Sequence, residues 1–284
     1  DWILETNPTY IMGVPTHAID TLAEMKKRGL DKMGTVEVFY MAGAPIPPAT
    51  AQAFVDMGIT PQNVYGMTEN SSHHYTWPDD PQRTICETCG RGGKAYHLKI
   101  FDSENPDIEV PQGEVGHIAG KGACLMLGYF DDQRATEESF NKDGWFLSGD
   151  LGLIDENDCL RFVGRLKDII IRGGKNIHPK KIEDLSIKHP NVEKAAAFPV
   201  PDERLGECVC LAIISTGDEP KGQDVLQHLF NEGLSIYDMP EYYMVMNEFP
   251  LTASGKTLKR ELAEWARNGR LKPDPIRFTQ TDKQ

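Results

Sequence analysis

Five segments of the sequence place polar or charged side chains beside glycine or proline, a composition typical of turns. They read MAGAPIP (Met41–Pro47), YGMTEN (Tyr65–Asn70), GWFLSGDLG (Gly144–Gly152), GRLKDIIIRGGKNIHPKKIEDL (Gly164–Leu185) and PLTASGKTLKREL (Pro250–Leu262). Their side chains include an aromatic ring, a hydroxyl, carboxylates and ammonium groups, the groups that bind a base, a ribose and phosphates. Each segment also has a plain structural explanation.

The segment YGMTEN follows a predicted strand, and open α/β sheets bind ligands at the carboxyl ends of their strands. Tyr65 could stack on a flat base, Thr68 could bond a phosphate oxygen, and Glu69 could hold Mg²⁺. The alternative is a loop in which Thr68 or Asn70 caps a helix. Taken alone, the segment favours neither explanation.

A carboxylate and an ammonium group lie in two of the other segments. Asp150 stands in a Gly-rich stretch, where an Asp is usually a turn former but could also accept hydrogen bonds from a ribose diol. Lys256 precedes a predicted helix, where the helix dipole disfavours a cation, and this favours an anionic partner. The segment Met41–Pro47 is by itself better explained as a strand-to-helix turn.

Two further patterns are interpreted as structural. The loop Ser215–Gly222 (STGDEPKG) looks like a phosphate-binding loop, but its two carboxylates would repel phosphate, so we predict a surface loop. His73 and His74 are interpreted as loop residues rather than metal ligands, since no carboxylate or thiol pattern completes a site.

The six cysteines include a CxxC pair, Cys86 and Cys89, and a CxC pair, Cys208 and Cys210. Zinc binding is one interpretation, but no further Cys/His pair follows at a zinc-finger spacing. Cys208 and Cys210 alternate within a predicted buried strand. We therefore favour reduced, structural thiols, which suit a cytoplasmic protein.

The elements that would position these residues fall into three patterns. Residues up to about 80 alternate helix and strand, as in a layered α/β domain. Residues from about 95 to 163 read as strands separated by Gly and Asp turns, which predicts a small barrel or sheet. The remainder predicts a compact α+β unit with helices near 179–188, 223–234 and 257–268 and strands near 192–200, 208–215 and 242–247.

Composition narrows the class of protein. The chain has 284 residues, enough for two domains, and its hydrophobic content of 39% and charged content of 26% are ordinary for a globular protein. A formal net charge of -13 argues against nucleic acid as a partner. No apolar run is long enough for a membrane span.

In order and spacing, the segments GAP, YGMTE, SGD, GRLKD and LTASGK resemble the adenylate-forming superfamily, which includes acyl-CoA synthetases, luciferases and peptide-synthetase adenylation domains. The resemblance covers nearly the whole chain from about Pro8 onward, and GRLKDIIIRGGKNIHPKKIE is most similar to the acyl-CoA synthetase branch. It implies that residues 1–166 are the C-terminal portion of a large AMP-binding domain, with an α/β part (1–95) and a β-barrel-like part (96–166). Residues 167–284 would be a small mobile C-terminal domain.

The resemblance implies a nucleotide site and names its residues. Gly43, Ala44 and Pro45 would line the adenine site, with Tyr65 stacking on the base and Gly66 beside it. Thr68 would contact phosphate and Glu69 would bind Mg²⁺, while Asp150 and Arg165 would hold the ribose hydroxyls. Lys256 would bridge the carboxylate and the phosphate during adenylation, where an ammonium group stabilises developing charge.

The resemblance also explains the charged pair and the glycines around Ile169–Ile171. Lys167 would be the hinge between an adenylating and a thioester-forming pose, and a charged residue suits a hinge because it stays hydrated in both. Gly173 and Gly174 would face the path of the CoA pantetheine, since glycine lets the backbone approach a ligand closely. The alternative is an ordinary β-hairpin with a Gly-Gly turn, and the two explanations are compatible.

The implied activity is that of an AMP-forming acid–CoA ligase that uses ATP, Mg²⁺ and CoA. A carrier-protein phosphopantetheine is an alternative acceptor, and a non-catalytic interaction module is a second alternative. The expected partners are a small carboxylic acid and CoA, and a homodimer is left open. Gly66 and residues of SSHHYTW are candidates for lining part of the acyl pocket. Because the Ser/Thr/Gly-rich loop ending in Pro-Lys-Gly of this family is not found, we expect a fragment that is inactive alone.

Overall fold

A computed structural model describes residues 1–43, 46, 48–252 and 255–279. The chain divides into two compact units, Asp1–Val163 and Gly164–Gln284. Among the described residues, no helix is both long and apolar enough to cross a membrane.

The first unit contains two sheets. Its helices and strands are α1 Trp2–Thr6, β1 Tyr10–Gly13, α2 Pro15–Arg28, β2 Val38–Met41, α3 Pro48–Asp56, β3 Thr60–Met67, β4 Ser71–Tyr75, α4 Gln82–Glu87, β5 Arg91–Gly92, β6 Tyr96–Phe101, β7 Gly116–Gly122, α5 Gln133–Glu138, β8 Phe146–Ile154 and β9 Leu160–Arg165.

The first sheet has the strand order β1-β2-β3-β4-β5. Strands β1, β2 and β3 are parallel, and β4 and β5 are added antiparallel. Helix α2 begins with Pro15 at its first position, and Gly29 in the left-handed conformation ends it, as their backbone preferences favour. Apolar side chains of these helices and strands, among them Phe39 and Phe54, form one buried core. The predicted α/β layer is confirmed.

The second sheet has the order β6-β7-β8-β9, and the pairs β6–β7 and β7–β8 are antiparallel. In the described part of the chain its outer strands β6 and β9 are not paired with each other. The part predicted as barrel-like is therefore a four-stranded sheet. It packs around Ile118 and Leu160, which are fully buried.

The second unit is built on a single sheet. Its elements are β10 Ile170–Arg172, β11 Lys175–Ile177, α6 Pro179–Ser186, β12 Val192–Asp202, β13 Gly206–Ser215, α7 Gly222–Asn231, β14 Tyr242–Val245, α8 Lys259–Arg267 and β15 Asp274–Pro275, with 3₁₀ turns at Leu166–Asp168 and Ile236–Asp238. The strand order is β11-β10-β13-β14-β15, with β12 also paired to β13.

Strand β13 explains why this unit has two apolar layers. Alternate residues of a strand point to opposite faces of the sheet. Val209 and Leu211 join the core formed with α6 and α7, whereas Cys210 and Ala212 join the core formed with α8. Both faces of β13 are therefore buried. Cys210 is fully buried with a free thiol, as the alternation of the CxC pair indicated.

Candidate nucleotide site

Tyr65 on β3 and Asp150 on β8 connect the two sheets of the first unit. The Tyr65 hydroxyl donates a hydrogen bond of 2.9 Å to Oδ2 of Asp150, although 85 residues separate the two in sequence. Both residues are 7% exposed. Burial, and then the negative charge of Asp150, raise the pKa of Tyr65 well above its usual value. Tyr65 is thus a neutral donor to a buried carboxylate.

The ring of Tyr65 is held by apolar and aromatic neighbours. It belongs to a buried cluster with Ile100 and Ile118, and the ring of His73 meets it edge-on at a centroid distance of 5.5 Å. Phe162 packs against it at 6.3 Å. A ring fixed in this way keeps one orientation, which a residue that stacks on a base requires.

The location of Asp150 corrects the sequence prediction. Asp150 lies inside the nine-residue strand β8 and not in a turn, although Gly149 beside it has a φ of 76°. A β-bulge accommodates this glycine: His117 of β7 faces Leu151, and Ala119 faces Leu147. The Gly-Asp sequence was predicted as a turn because the pairing of β8 with β7 cannot be read locally.

The segment that follows Tyr65 is also not what the sequence suggested. Strand β3 runs through Tyr65 and Gly66 to Met67, and Thr68–Asn70 form the turn into the antiparallel strand β4. The Asn70 side chain accepts a 3.0 Å hydrogen bond from the Met67 amide. The alternative in which Thr68 or Asn70 caps a helix is therefore excluded, because the segment closes a hairpin.

Within this turn Thr68 is exposed and Glu69 is half-exposed. The Tyr129 hydroxyl donates a 3.1 Å hydrogen bond to Oε1 of Glu69. Burial, and then this carboxylate, raise the pKa of Tyr129. The turn thus presents a hydroxyl and a carboxylate at the surface, and Tyr129, which the sequence analysis missed, orients the carboxylate.

Two glycines near this site, Gly66 and Gly43, are required by the backbone. A Cβ on Gly66 would lie 2.0 Å from the carbonyl oxygen of Ser71, so only glycine permits the β3–β4 pairing there. Gly43 follows β2 with a φ of 83°, a conformation that favours glycine. Ala44 and Pro45, predicted to line the adenine site, lie outside the described residues.

His73 and His74 lie in strand β4 and are buried, so their prediction as loop residues is wrong. Their Nδ1 atoms are 2.7 Å apart, and the ring of His73 stacks on Tyr96 at 4.2 Å. Burial lowers the pKa of His73 to about 4, and burial together with His73 lowers that of His74 to about 3. Both imidazoles are neutral at pH 7 and belong to the interior of the first unit.

In the second unit, the residues predicted for chemistry lie on turns or at the end of a strand. Lys167 is exposed within the 3₁₀ turn Leu166–Asp168, and Arg165, two positions earlier, is exposed at the end of β9. Gly173 and Gly174 form the turn of the antiparallel hairpin β10–β11, with φ values of 57° and 85°. The structural explanation of the Gly-Gly pair as a hairpin turn is confirmed.

Lys256 also lies outside helices and strands. Its amide donates a 3.0 Å hydrogen bond to the Thr252 hydroxyl, its carbonyl accepts one from the Thr252 amide, and Leu251 and Thr257 form an isolated β-bridge. The first residue of α8, Lys259, follows three positions later. Residues Leu251–Thr252 and Lys256–Thr257 are therefore paired just before α8, as the predicted position before a helix requires.

Lys259 is a charged residue of the second unit that the sequence analysis missed and that holds two carboxylates. Its Nζ lies 3.3 Å from Asp168 and 3.2 Å from Glu183. Burial raises the pKa of Glu183, and Lys259 is the chief influence that opposes this rise. The dipole argument that singled out Lys256 applies more strongly to Lys259, at the first position of α8.

The remaining sequence predictions concern loops and thiols. The loop after β13 is exposed from Thr216 to Glu219, which confirms the surface loop. All six cysteines are free thiols. Among the described residues, no group of three or more His, Cys, Asp or Glu side chains is placed to hold a metal ion.

The fold and the order of these residues define a class of protein. Residues 1–130 match the family of AMP-binding enzymes, and residues 181–256 match the AMP-binding enzyme C-terminal domain. The chain therefore belongs to the adenylate-forming superfamily, and its relatives place it in the acyl-CoA synthetase branch. The resemblance inferred from the sequence is confirmed.

Three known proteins illustrate the similarity. The medium-chain fatty-acid–CoA ligase of Escherichia coli (strain K12) is 31% identical over 253 residues, which cover 88% of this chain and 44% of that protein. ATP-bound MatB from Rhodopseudomonas palustris has a TM-score of 0.82 at 28% identity, covering 93% of this chain and 52% of that one. The o-succinylbenzoate CoA synthetase MenE from Bacillus subtilis, in complex with its acyl-adenylate intermediate, has a TM-score of 0.77 at 27% identity and covers 89% and 50%. The chain thus spans about half the length of these proteins.

Proposed function

We propose that the protein containing this chain is an AMP-forming acid–CoA ligase. In the first step, a carboxylate oxygen attacks the α-phosphorus of ATP, and pyrophosphate leaves to give an acyl-AMP. In the second, the CoA thiol, after losing its proton, attacks the acyl carbon, and AMP leaves to give a thioester. No protein nucleophile is needed, since CoA supplies the sulfur.

The observation that carries the proposal is the buried pair of Tyr65 and Asp150. A fixed aromatic ring next to a buried carboxylate matches the two halves of an adenosine, a flat base and a ribose diol. Acidic side chains bind ribose hydroxyls in other nucleotide sites. Gly43, which follows β2, and Gly66, which lies on β3, complete the proposed nucleotide-binding set of the first unit, with Ala44 and Pro45.

The turn after β3 would serve the phosphates. Thr68 would bond a phosphate oxygen, and Glu69 would hold Mg²⁺. A single carboxylate fits this ion, because Mg²⁺ keeps several waters and is commonly bound through one or two carboxylates and substrate phosphates. When bound, Mg²⁺ would neutralise phosphate charge, and the Tyr129 hydroxyl would keep the Glu69 carboxylate oriented toward it.

The second unit would supply Lys256 to the adenylation step, where its ammonium group stabilises charge on the transferring phosphoryl group. Arg165 would hold ribose hydroxyls, and Lys167 would act as the hinge between the two half-reactions. Gly173 and Gly174 would face the pantetheine of CoA. The Escherichia coli relative is named for medium-chain fatty acids, so we take a medium-chain acid as the first candidate. The free cysteines suit the cytoplasm as the proposed location.

The test is a screen of carboxylic acids for ATP-dependent pyrophosphate release by the protein that contains this chain. CoA and a phosphopantetheine-loaded carrier protein are then compared as acceptors by mass spectrometry. We expect acid-dependent AMP formation and a thioester with free CoA. Release of ADP, or AMP formation that does not depend on an acid, would contradict the proposal, and thioester on the carrier alone would replace the CoA acceptor.

A further inference from the structure

Asp150 lies in a bulged segment of the sheet, where strand β8 does not pair regularly with β7. Across the β7–β8 pairing, the single residue Ile118 lies opposite three residues, Ser148, Gly149 and Asp150. A bulge of this kind interrupts the regular ladder, so its amides and carbonyls need other partners. The direction of the Asp150 side chain depends on how these partners fix the bulge.

Side chains, rather than backbone groups, supply those partners. The Ser148 hydroxyl donates a 2.7 Å hydrogen bond to the carbonyl of Ile118 and accepts one of 3.1 Å from the amide of Asp150. The amide of Gly149 donates a 2.8 Å hydrogen bond to Nε2 of His117. The imidazole thus takes the place of the strand carbonyl that a regular ladder would offer.

The protonation state of His117 follows from this geometry. Nε2 accepts a hydrogen bond, so it carries no proton, and the neutral ring must have its proton on Nδ1. His117 is only 7% exposed, and burial lowers its pKa. A neutral imidazole is therefore the form that completes the bulge.

We propose that His117 is a positioning residue for ribose recognition. It fixes Gly149 and so holds the Asp150 carboxylate at the position where the Tyr65 hydroxyl also meets it. This inference rests on the proposed function, in which Asp150 binds the ribose hydroxyls. A residue that only stabilises the sheet would change the free energy of unfolding but not the preference for a ribose with both hydroxyls.

The test compares two substitutions with a matched control. His117→Leu removes the acceptor at similar size, whereas His117→Gln can offer an amide oxygen near the position of Nε2. The control is His97→Leu, since His97 is an exposed histidine on β6 of the same sheet. Affinity for ATP and for 2′,3′-dideoxy-ATP is measured by calorimetry, together with KM for ATP and for the acid.

We expect His117→Leu to weaken ATP binding about tenfold, the effect of one lost hydrogen bond to a charged group, while binding of the dideoxy analogue and KM for the acid stay unchanged. His117→Gln should restore most of the preference for ATP, and His97→Leu should behave as the native protein. Native discrimination between the two nucleotides in His117→Leu would overturn the inference.

Two further measurements separate the possible failures. If Asp150→Ala binds ATP as the native protein does, the ribose role of Asp150 is wrong and this inference falls with it. If Asp150→Ala loses ATP and His117→Leu does not, only the positioning role is wrong. Should His117→Leu fail to fold, the ¹⁵N spectrum of the native imidazole decides, because a proton on Nε2 at neutral pH would overturn the inference and one on Nδ1 supports it.

Discussion

The chemistry-bearing residues of the two units differ in how they are held. In the first unit, Tyr65 and Asp150 lie inside strands, are buried and bond to each other. In the second unit, Lys167, the pair Gly173–Gly174 and Lys256 all lie on turns or loops. The buried pair proposed to bind the nucleoside is thus preorganised, whereas the residues proposed to serve one half-reaction, or the change between the two, lie where the backbone can change.

The difference has a physical reason. A binding carboxylate gains from being fixed, because less side-chain entropy is lost when the ligand arrives. A lysine needed only in the first of two steps gains from a support that need not persist in the second. The comparison therefore predicts selective effects from substitutions in the second unit and nucleotide-specific effects from substitutions in the first.

The largest expected effect is that of Lys256→Ala. In the protein that contains this chain, acyl-AMP formation should fall by roughly two to three orders of magnitude, as when a preorganised charge is removed from a transition state. Conversion of synthetic acyl-AMP and CoA to the thioester should persist. Single-turnover assays of each half-reaction measure the split, and the exposed Lys272→Ala serves as the control.

Equal loss of both half-reactions in Lys256→Ala, with folding intact, would contradict the comparison. It would mean that Lys256 serves both steps and is not specific to adenylation.

Lys259→Met tests how the 3₁₀ turn that contains Lys167 is stabilised. The Lys259 side chain is 21% exposed and neutralises Asp168 and Glu183, so its loss leaves the partly buried Glu183 carboxylate, 17% exposed, without its cation. The free energy of unfolding should fall by roughly 1–3 kcal/mol, more than for an exposed pair and less than for a fully buried one. Urea unfolding measures the change.

A surface pair provides the matched control. Lys188 bonds Glu232 at 2.9 Å, but the two side chains are 49% and 34% exposed, so Lys188→Met should cost less than about 1 kcal/mol. Adding Glu183→Gln to Lys259→Met should recover part of the stability. No recovery would show that the uncompensated charge of Glu183 is not what destabilises Lys259→Met.

The buried pair His73 and His74 tests how the interior of the first unit responds to pH. His73 and His74 have folded pKa values of about 4 and about 3, whereas an unfolded histidine titrates near 6.5. Because the unfolded chain binds protons first, the stability present above pH 6.5 is lost as the pH falls toward 4. The loss should be on the order of 3 kcal/mol for one buried imidazole.

Urea unfolding of the native protein and of His73→Gln between pH 4 and 7.5 measures this dependence. The slope with pH should be smaller in His73→Gln, and His97→Gln, at an exposed position, should keep the native slope. Identical slopes in His73→Gln and the native protein would show that carboxylates, and not these imidazoles, set the acid sensitivity.

The two units also differ in how much of their structure could be predicted from the sequence. In the second unit, local signals sufficed for a turn and a strand: two glycines marked the β10–β11 turn, and the apolar stretch around Cys208 and Cys210 marked the buried strand β13. In the first unit, the site depends on pairing between distant strands. The bulge at Gly149 therefore resembled a turn.

Long-range contacts also account for the residues that the sequence analysis missed. Nothing near His117 in the sequence indicates that its ring meets Gly149, 32 residues away. Likewise, Tyr129 reaches Glu69 across 60 residues. The motif residues were recognised from a resemblance, whereas the side chains that hold them depend on strand register, which a single sequence does not determine.

The smallest expected effect is that of Gly174→Ala, and it tests whether the β10–β11 turn does more than close a hairpin. Gly174 has a φ of 85°, and a Cβ there would meet no atom within 4 Å. The cost of alanine is then the backbone strain alone, about 1–2 kcal/mol in the free energy of unfolding. If the turn only closes the hairpin, KM for CoA should not change. Since we propose that this turn faces the pantetheine, we expect KM for CoA to rise several-fold while acyl-AMP formation stays native.

Gly29→Ala supplies the control, because Gly29 has a φ of 65°, a Cβ there would also meet no neighbouring atom, and Gly29 ends α2 in the first unit. It should lose similar stability with no change in KM for CoA. An unchanged KM in Gly174→Ala would remove the turn from the CoA path and leave the hairpin as its full explanation.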